Sequence, residues 1–293
     1  MCVLVYCMSV AYSYGQQYSD YADRFNLFFK NYAIYNPASI GTVSNLEANV
    51  SYKSLTGLFS QVNTYYTNVN FRANRGEREG GEHKHNFGLT LFGDKEGEFF
   101  RRSRAYLNYS FHLEVGENLF IAAGTSLGLV NYTYRSSTAG MGGSDLAFIG
   151  NVGLWVYNDR VRAGVSVNDF PNNSVRPIDE ETVLFRHYVF TGDYRLDIDH
   201  NLSLRPVLSA TFSDVQYTSV SPGLVCVLQE RLSGGLLYRS RNGFVFLAGL
   251  EEIEVLSGML DLTFSYMVPI QRYTNISVNT FELAVSYYLA PKK

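Results

Sequence analysis

From about Ser44 onward, apolar and polar residues alternate along the chain with a period of two. Leu260, Leu262, Phe264, Tyr266 and Val268 are separated by residues that include Asp261, Thr263 and Ser265. Ala105, Leu107, Tyr109, Phe111 and Leu113 follow Arg104 and interleave with Asn108, Ser110 and His112. Phe281, Leu283, Val285, Tyr287 and Leu289 follow Thr280 and interleave with Glu282, Ala284 and Ser286. This period puts the two sets on opposite faces of a sheet. The pattern predicts about fourteen strands, near 46–55, 61–73, 85–93, 102–113, 118–134, 146–157, 160–168, 184–196, 201–213, 215–228, 232–240, 243–250, 257–268 and 275–289. The Val, Tyr, Phe, Thr, Ser and Gly of these stretches favour pleated structure over helix. Only the region from about Asp20 to Tyr32 is left for a short helical turn.

Several of these strands exceed the usual five or six residues of a soluble sheet. They suit the roughly 9–11 residues with which a tilted strand crosses a bilayer. A soluble sandwich or propeller would carry Lys, Glu and Arg on its polar face. Here that face is mostly Ser, Thr, Asn and Gly with scattered Arg. No stretch reaches the 18 apolar residues of a membrane helix, and a chain that crosses without helices must close into a barrel. The expected fold is therefore all-β, a transmembrane up-and-down antiparallel β-barrel of about 14 strands over 46–293. Turns around Gly116, at Asn158-Asp159, around Asp199 and at Gln229-Glu230 are short, as periplasmic turns are. The polar loops 135–145 and 169–182 are longer and would face outward. The run 74–84 falls on the short-turn side and leaves the strand count open by two. Tyr65, Tyr66, Tyr132, Tyr134, Tyr287 and Tyr288 lie near strand ends, where interfacial rings belong.

The first fifteen residues are uncharged and apolar or small, ending Ser13-Tyr14-Gly15 before Gln16. They read as a signal peptide (1–15) whose basic start is truncated; the competing reading is a short buried strand. Cleavage would remove Cys2 and Cys7 and leave Cys226, a small apolar filler among Leu224, Val225, Val227 and Leu228. Residues 16–45 are too polar and irregular to span, and are expected to fold into the lumen or contact a periplasmic partner. The chain of 293 residues carries 24 Lys and Arg against 27 Asp and Glu. That balance argues against nucleic-acid binding, which needs a basic domain.

Candidate chemistry is sparse. His83-Lys84-His85 beside Glu82 reads as a solvated loop tip, not a metal pair. Gly124-Thr125-Ser126-Leu127-Gly128 lacks the Lys-Ser/Thr ending of a phosphate loop; its glycines relieve crowding in the lumen. His112 points inward with Arg104, Asn108 and Ser110 as a polar contact, and no Gly-x-Ser-x-Gly elbow is present. Asp179-Glu180-Glu181 reads as a solvated loop. Gly142, Gly143, Ser144 and Asp145 read as a tight turn folding a loop across the barrel mouth, with a partner contact as the other reading. Arg104, Arg205 and Arg239 could pair with Asp261 and Glu282 to hold a plug, or set pore selectivity. No catalytic residue, metal or cofactor is expected, and the chain is not expected to be an enzyme.

Several stretches, in order, carry a family resemblance: Gln16-Gln17-Tyr18-Ser19, Asn36-Pro37-Ala38-Ser39-Ile40-Gly41, Tyr52-Lys53 with Gly57, Gly142-Gly143-Ser144-Asp145, Arg205-Pro206-Val207-Leu208, Tyr238-Arg239, and Phe281-Glu282-Leu283 with Tyr287. Over about 16–289 the chain resembles the PorP/SprF family of the type IX secretion system, found in the Bacteroidota. Tyr52-Lys53-Ser54-Leu55 stands where the family usually has Tyr-Arg followed by Gln-Trp, which marks a divergent member. The resemblance implies an outer-membrane barrel, with outer-membrane lipid around it. It also implies partners among the periplasmic ring or peptidoglycan-associated subunits, and secreted adhesin-like cargo, often of gliding motility. Asn36 and Pro37 join Gly142–Asp145 as candidate partner contacts. A solute channel or fatty-acid-type transporter on a similar barrel is the alternative, and a lipid hydrolase is the third reading.

Overall fold

The computed structural model describes residues 25–78, 81–136, 142–178, 181–214, 218–240, 242–270 and 279–289. The signal-peptide reading, Cys2, Cys7, Asp179 and Glu180 lie outside them. Among the described residues, fourteen antiparallel strands close on themselves. They are β1 Leu46–Leu55, β2 Asn63–Arg78, β3 Gly81–Glu96, β4 Phe100–Gly116, β5 Leu119–Tyr134, β6 Gly143–Tyr157 and β7 Val161–Phe170. They continue as β8 His187–Tyr194, β9 Leu202–Ser213, β10 Thr218–Leu228, β11 Leu232–Arg239, β12 Gly243–Val255, β13 Gly258–Pro269 and β14 Thr280–Leu289. Each strand pairs with its sequence neighbours, and β14 pairs with β1 from Glu47↔Tyr288 to Leu55↔Thr280. Closure leaves no unpaired edge, which is what a hydrocarbon surround demands of a backbone.

The two ends differ. The first and last strands and the connections 117–118, 158–160, 229–231 and 256–257 share the short-turn end. At Gln229 and Glu230 φ is 52° and 58° and Arg231 N donates to Leu228 O, a turn whose twist matches the flanking strands. The opposite end carries the longer connections 135–142, 171–186 and 270–279. By the rule for such barrels the short-turn end is periplasmic and the other faces out. Over 171–186 a small ribbon, Ser174–Val175 with Thr182–Val183, stands beside β6.

Alternation sorts the side chains as period two requires. Leu107, Leu127 and Phe148 are 71–72% exposed on the outer face. Their strand neighbours Asn108, Ser126 and Ala147 are buried toward the lumen. Three expectations need correction. The run 74–84 is no loop: past a one-residue bulge at Ala73, Asn74–Arg78 and Gly81–Lys84 pair and extend β2 and β3, so the count stays at fourteen and His83-Lys84-His85 lies in a strand. There His85 Nδ1 lies 2.9 Å from the Tyr109 hydroxyl. Gly143–Asp145 are not a turn but the start of β6, paired with Tyr134, Thr133 and Tyr132. The cause is the pairing itself, since β5 runs far enough to give them partners. Finally, Tyr66 and Tyr132 are buried inside. Adjacent residues point to opposite faces, so Tyr65 and Tyr66 cannot both meet the interface, and Tyr132 shares the inward register of Val130. The outward ring row is instead Phe71–Phe87–Tyr109, with centroids 5.9 and 5.3 Å apart.

Candidate functional site

Residues 25–45 occupy the lumen and join β1 at the short-turn end. Short 3-10 turns at Phe28–Lys30 and Pro37–Ser39 flank one helical turn, Tyr32–Tyr35. Phe25, Leu27, Phe28, Phe29, Ile34, Tyr35, Ala38 and Ile40 are all at most 3% exposed. A segment this irregular has few backbone bonds of its own, so its polar groups must find partners in the wall.

They do so at three levels. At the outward-facing half, Glu282 accepts from Asn26 N at 2.6 Å and Leu27 N at 3.3 Å. Arg239 Nη1 donates to Phe25 O and Asn26 Oδ1 at 3.3 and 3.0 Å. Here Phe25 also packs against Tyr66 and Phe92, with centroids 5.7 and 6.2 Å away. Toward the short-turn end, Lys30 Nζ bridges Asp261 at 2.9 Å and Glu251 at 3.2 Å. Arg205 reaches the same Glu251 at 3.9 Å. Across the lumen, the Tyr32 hydroxyl donates to Asp193 at 2.5 Å, and Arg162 grips the same carboxylate at 3.0 Å. The Tyr32 ring lies 4.9 Å from that of Trp155.

The third level is the Asn36-Pro37-Ala38-Ser39 segment. Asn36 Nδ2 donates to Leu154 O at 2.9 Å and Val165 O at 3.1 Å, and its Oδ1 accepts from Ala38 N at 2.9 Å. Pro37 follows at the first position of its turn, where a missing N–H costs nothing. The wall is notched to receive it. A Cβ at Gly153 would meet Asn36 Oδ1, and one at Gly124 would meet the Ala38 and Pro37 backbone. Ser166 Oγ and Asn168 Nδ2 donate to Tyr35 O at 2.6 and 2.9 Å.

The structure thus brings Glu282, Arg239 and Asp261 onto the lumen segment, together with Asn36 and Pro37, which are buried contacts of the protein with itself. Arg104 and Arg205 find other acids than Asp261 and Glu282. Arg104 meets Asp169 at 2.6 Å, both side chains 1% exposed. Arg104 lies on β4 and Arg205 on β9, and each meets an acid three strands further round the wall, Asp169 of β7 and Glu251 of β12. His112 sits between the Ser110 hydroxyl and the Tyr157 hydroxyl, 2.8 Å from each. At the outward rim, Gly143 and Asp145 lie against the 171–186 connection. There Arg176 N donates to Asp145 at 2.6 Å, and a Cβ at Gly143 would meet Pro177 O. Ser144 donates to Asn131 at 2.7 Å. Gly142, just before β6, lies against Tyr134 O. Sequence reading missed Lys30, Tyr32, Arg162, Asp169, Asp193 and Glu251. Arg162, Asp193 and Glu251 carried one signal, a charged group on an inward register, which alternation marks on every strand without ranking any; Lys30 and Tyr32 lie on no strand, and Asp169 turns inward only where φ reaches 61° at the end of β7.

A cavity of about 220 Å³ remains between the segment and the wall, lined by Lys30, Tyr32, Arg162, Arg205, Glu251 and Asp261 among others. Its lining is charged, and among the described residues no group of His, Cys, Asp and Glu forms a metal site.

No curated protein matches the chain. Among solved structures, the Ralstonia pickettii toluene transporter TbuX is similar with a TM-score of 0.55 at 12% identity, over 86% of this chain and 91% of that one. The P. putida toluene transporter TodX gives 0.54 at 12% identity, over 90% and 95%. The CymD monoaromatic hydrocarbon channel gives 0.57 at 11% identity, over 88% and 92%. At such identities the likeness establishes the barrel fold alone. That fold and the family match place the chain in the outer membrane. Residues 17–287 match the family described as type IX secretion system membrane protein PorP/SprF, and to that family the chain belongs.

Proposed function

We propose that this outer-membrane barrel is a non-enzymatic docking or anchoring component of the type IX apparatus for secreted surface proteins. The observation that carries the reading is the lumen segment. A wall that spends Glu282, Arg239, Asp193, Asp261 and Glu251 on holding residues 26–32 supports a fixed scaffold over an open conduit. Lipid-facing side chains fix the barrel's height and tilt, so both rims are displayed reproducibly. The ribbon offers a surface outward, and the short-turn end faces the periplasmic parts of the machine. The charged lining of the residual cavity disfavours passage of an apolar solute.

The test is affinity purification from detergent-solubilised membranes, paired with single-channel recording of the purified barrel. Recovery of secretion-apparatus subunits or adhesin-like cargo, with a closed barrel, is the expected result. A lone barrel of steady conductance would instead make it a solute channel or fatty-acid-type transporter.

A further inference from the structure

On the outer face of β2–β5 the cross-strand rows can be read directly from the pairing. Nearest the long-loop rim runs Asn63–Lys95–Arg101–Thr133, then Tyr65–Gly93–Ser103–Asn131, then Thr67–Leu91–Ala105–Leu129. Tyr65, Leu91 and Leu107 are 53%, 47% and 71% exposed, which fixes this as the outward face. Lys95 and Arg101 are thus direct cross-strand neighbours of like charge, an arrangement that destabilises a sheet unless an anion lies between them. Arg135 adds a third cation one step beyond Thr133, its backbone N–H bonded to Phe99 O.

Acids are near but engaged or apart. Asp94 and Glu96 both pair with Arg102, on the opposite face of the sheet. Glu98 is exposed in the 97–99 turn, and among the described residues it forms no ion pair with the three cations. Directly below the cations the small outward residues Gly93, Ser103 and Ala105 leave a groove of about 390 Å³ between Tyr65, Leu91 and Leu129. A Cβ at Gly93 would meet nothing within 4 Å, so this hollow is open to the outside.

The depth identifies the surroundings. From His85, in the outward histidine and ring cluster near the short-turn end, to Lys95 is ten residues of β3. At about 3.3 Å per residue and a tilt of about 40° this is roughly 25 Å along the barrel axis. An outer-membrane barrel's apolar band is of the same height. Lys95, Arg101 and Arg135 therefore sit at the headgroup level of the outer leaflet, and the groove below them lies at the level of the acyl chains.

We propose that this face is a binding site for a phosphorylated, multiply acylated glycolipid of the outer leaflet, of the lipid A class. A phosphate lies among Lys95, Arg101 and Arg135, where Arg supplies paired donors and Lys a point charge. One acyl chain fills the hollow over Gly93, Ser103 and Ala105. The bound phosphate removes the like-charge strain, and the site ties the barrel's orientation to the leaflet that faces the cell surface.

The full-length protein, delipidated in detergent, is titrated with diphosphoryl lipid A, its dephosphorylated counterpart and inorganic phosphate. Tighter binding of the diphosphoryl form is expected. Each cation replaced by Gln should weaken it about fivefold, on the order of 100-fold for all three. Gly93→Leu, which enters empty space, should weaken lipid A of either form while the heat-modifiable migration of the folded barrel is unchanged. If the triple variant fails to fold, Arg101→Gln and Gly93→Leu carry the test. Equal affinity for both lipids, or lipid A binding indifferent to Arg101→Gln and Gly93→Leu, overturns the proposal. So does inorganic phosphate competing as strongly as the lipid, which would make this a free-ion site.

Discussion

Replacing Asn36 by Ala removes three hydrogen bonds at once, two to carbonyls of β6 and β7 and one within the segment, and leaves the wall notch at Gly153 partly empty. At about 1 kcal/mol net per bond the segment loses about 3 kcal/mol of attachment. Every 1.4 kcal/mol is a factor of ten, so the detached population should rise on the order of 100-fold. Amide hydrogen exchange in detergent micelles reads this locally. Asn36 N and Ser39 N, bonded to Tyr32 O and Asn36 O, should exchange faster by about that factor, whereas amides of β12–β14 should not. Gly153→Ala supplies the control. Alone its Cβ meets Asn36 Oδ1 and should loosen the segment; in the Asn36→Ala background the methyl group enters vacated space and should be tolerated. Unchanged exchange at positions 36 and 39, a uniform acceleration over the whole barrel, or simple additivity of the two substitutions would refute the reasoning.

Gly124→Val places side-chain atoms where the Ala38 and Pro37 backbone now lies; the expected outcome is a displaced segment, seen as new ion conductance in planar bilayers with the barrel still folded. Arg104→Met leaves the Asp169 carboxylate buried without its cation and should destabilise the barrel by about 3–5 kcal/mol in urea unfolding. Asp169→Asn in the same protein should restore part of that loss; no recovery would show that the pair is not the source. In the ribbon, the Ser174 hydroxyl and then the Arg176 guanidinium hold the Glu181 carboxyl below its ordinary 4.5. A lowered value means that its contribution is complete above that pH and is lost as pH falls through the folded-state value. Carbon-detected NMR of Glu181 should give a midpoint below the ordinary one, moved upward by Arg176→Gln; a midpoint at or above it sinks the assignment.

Some of this was legible from single residues. Leu260 to Val268 alternate whatever their neighbours do, because a pleated strand has two faces, and Ala105 to Leu113 do the same. Strand number, the outer-membrane fold and the inward direction of His112 follow from that period, and the order of short stretches such as Asn36-Pro37-Ala38 carried the family. Local reading failed where pairing partners decide. The polar run 74–84 looks like loop composition, yet two segments opposite each other extend one hairpin. Gly142–Asp145 looks like a turn, yet β5 supplies Gly143, Ser144 and Asp145 with partners.

What the sequence determined by itself is therefore what depends on one strand: the two faces into which alternation divides its residues, and that no stretch is long and apolar enough for a crossing helix. Closure decided the rest. Arg104 meets Asp169 across 65 positions and Asn26 meets Glu282 across 256. Such contacts depend on the register accumulated over all fourteen strands and on the shape of the space they enclose. A period of two names a face; it carries no information about which distant strand will stand opposite, and so the lumen segment and its anchors exist only in the closed barrel.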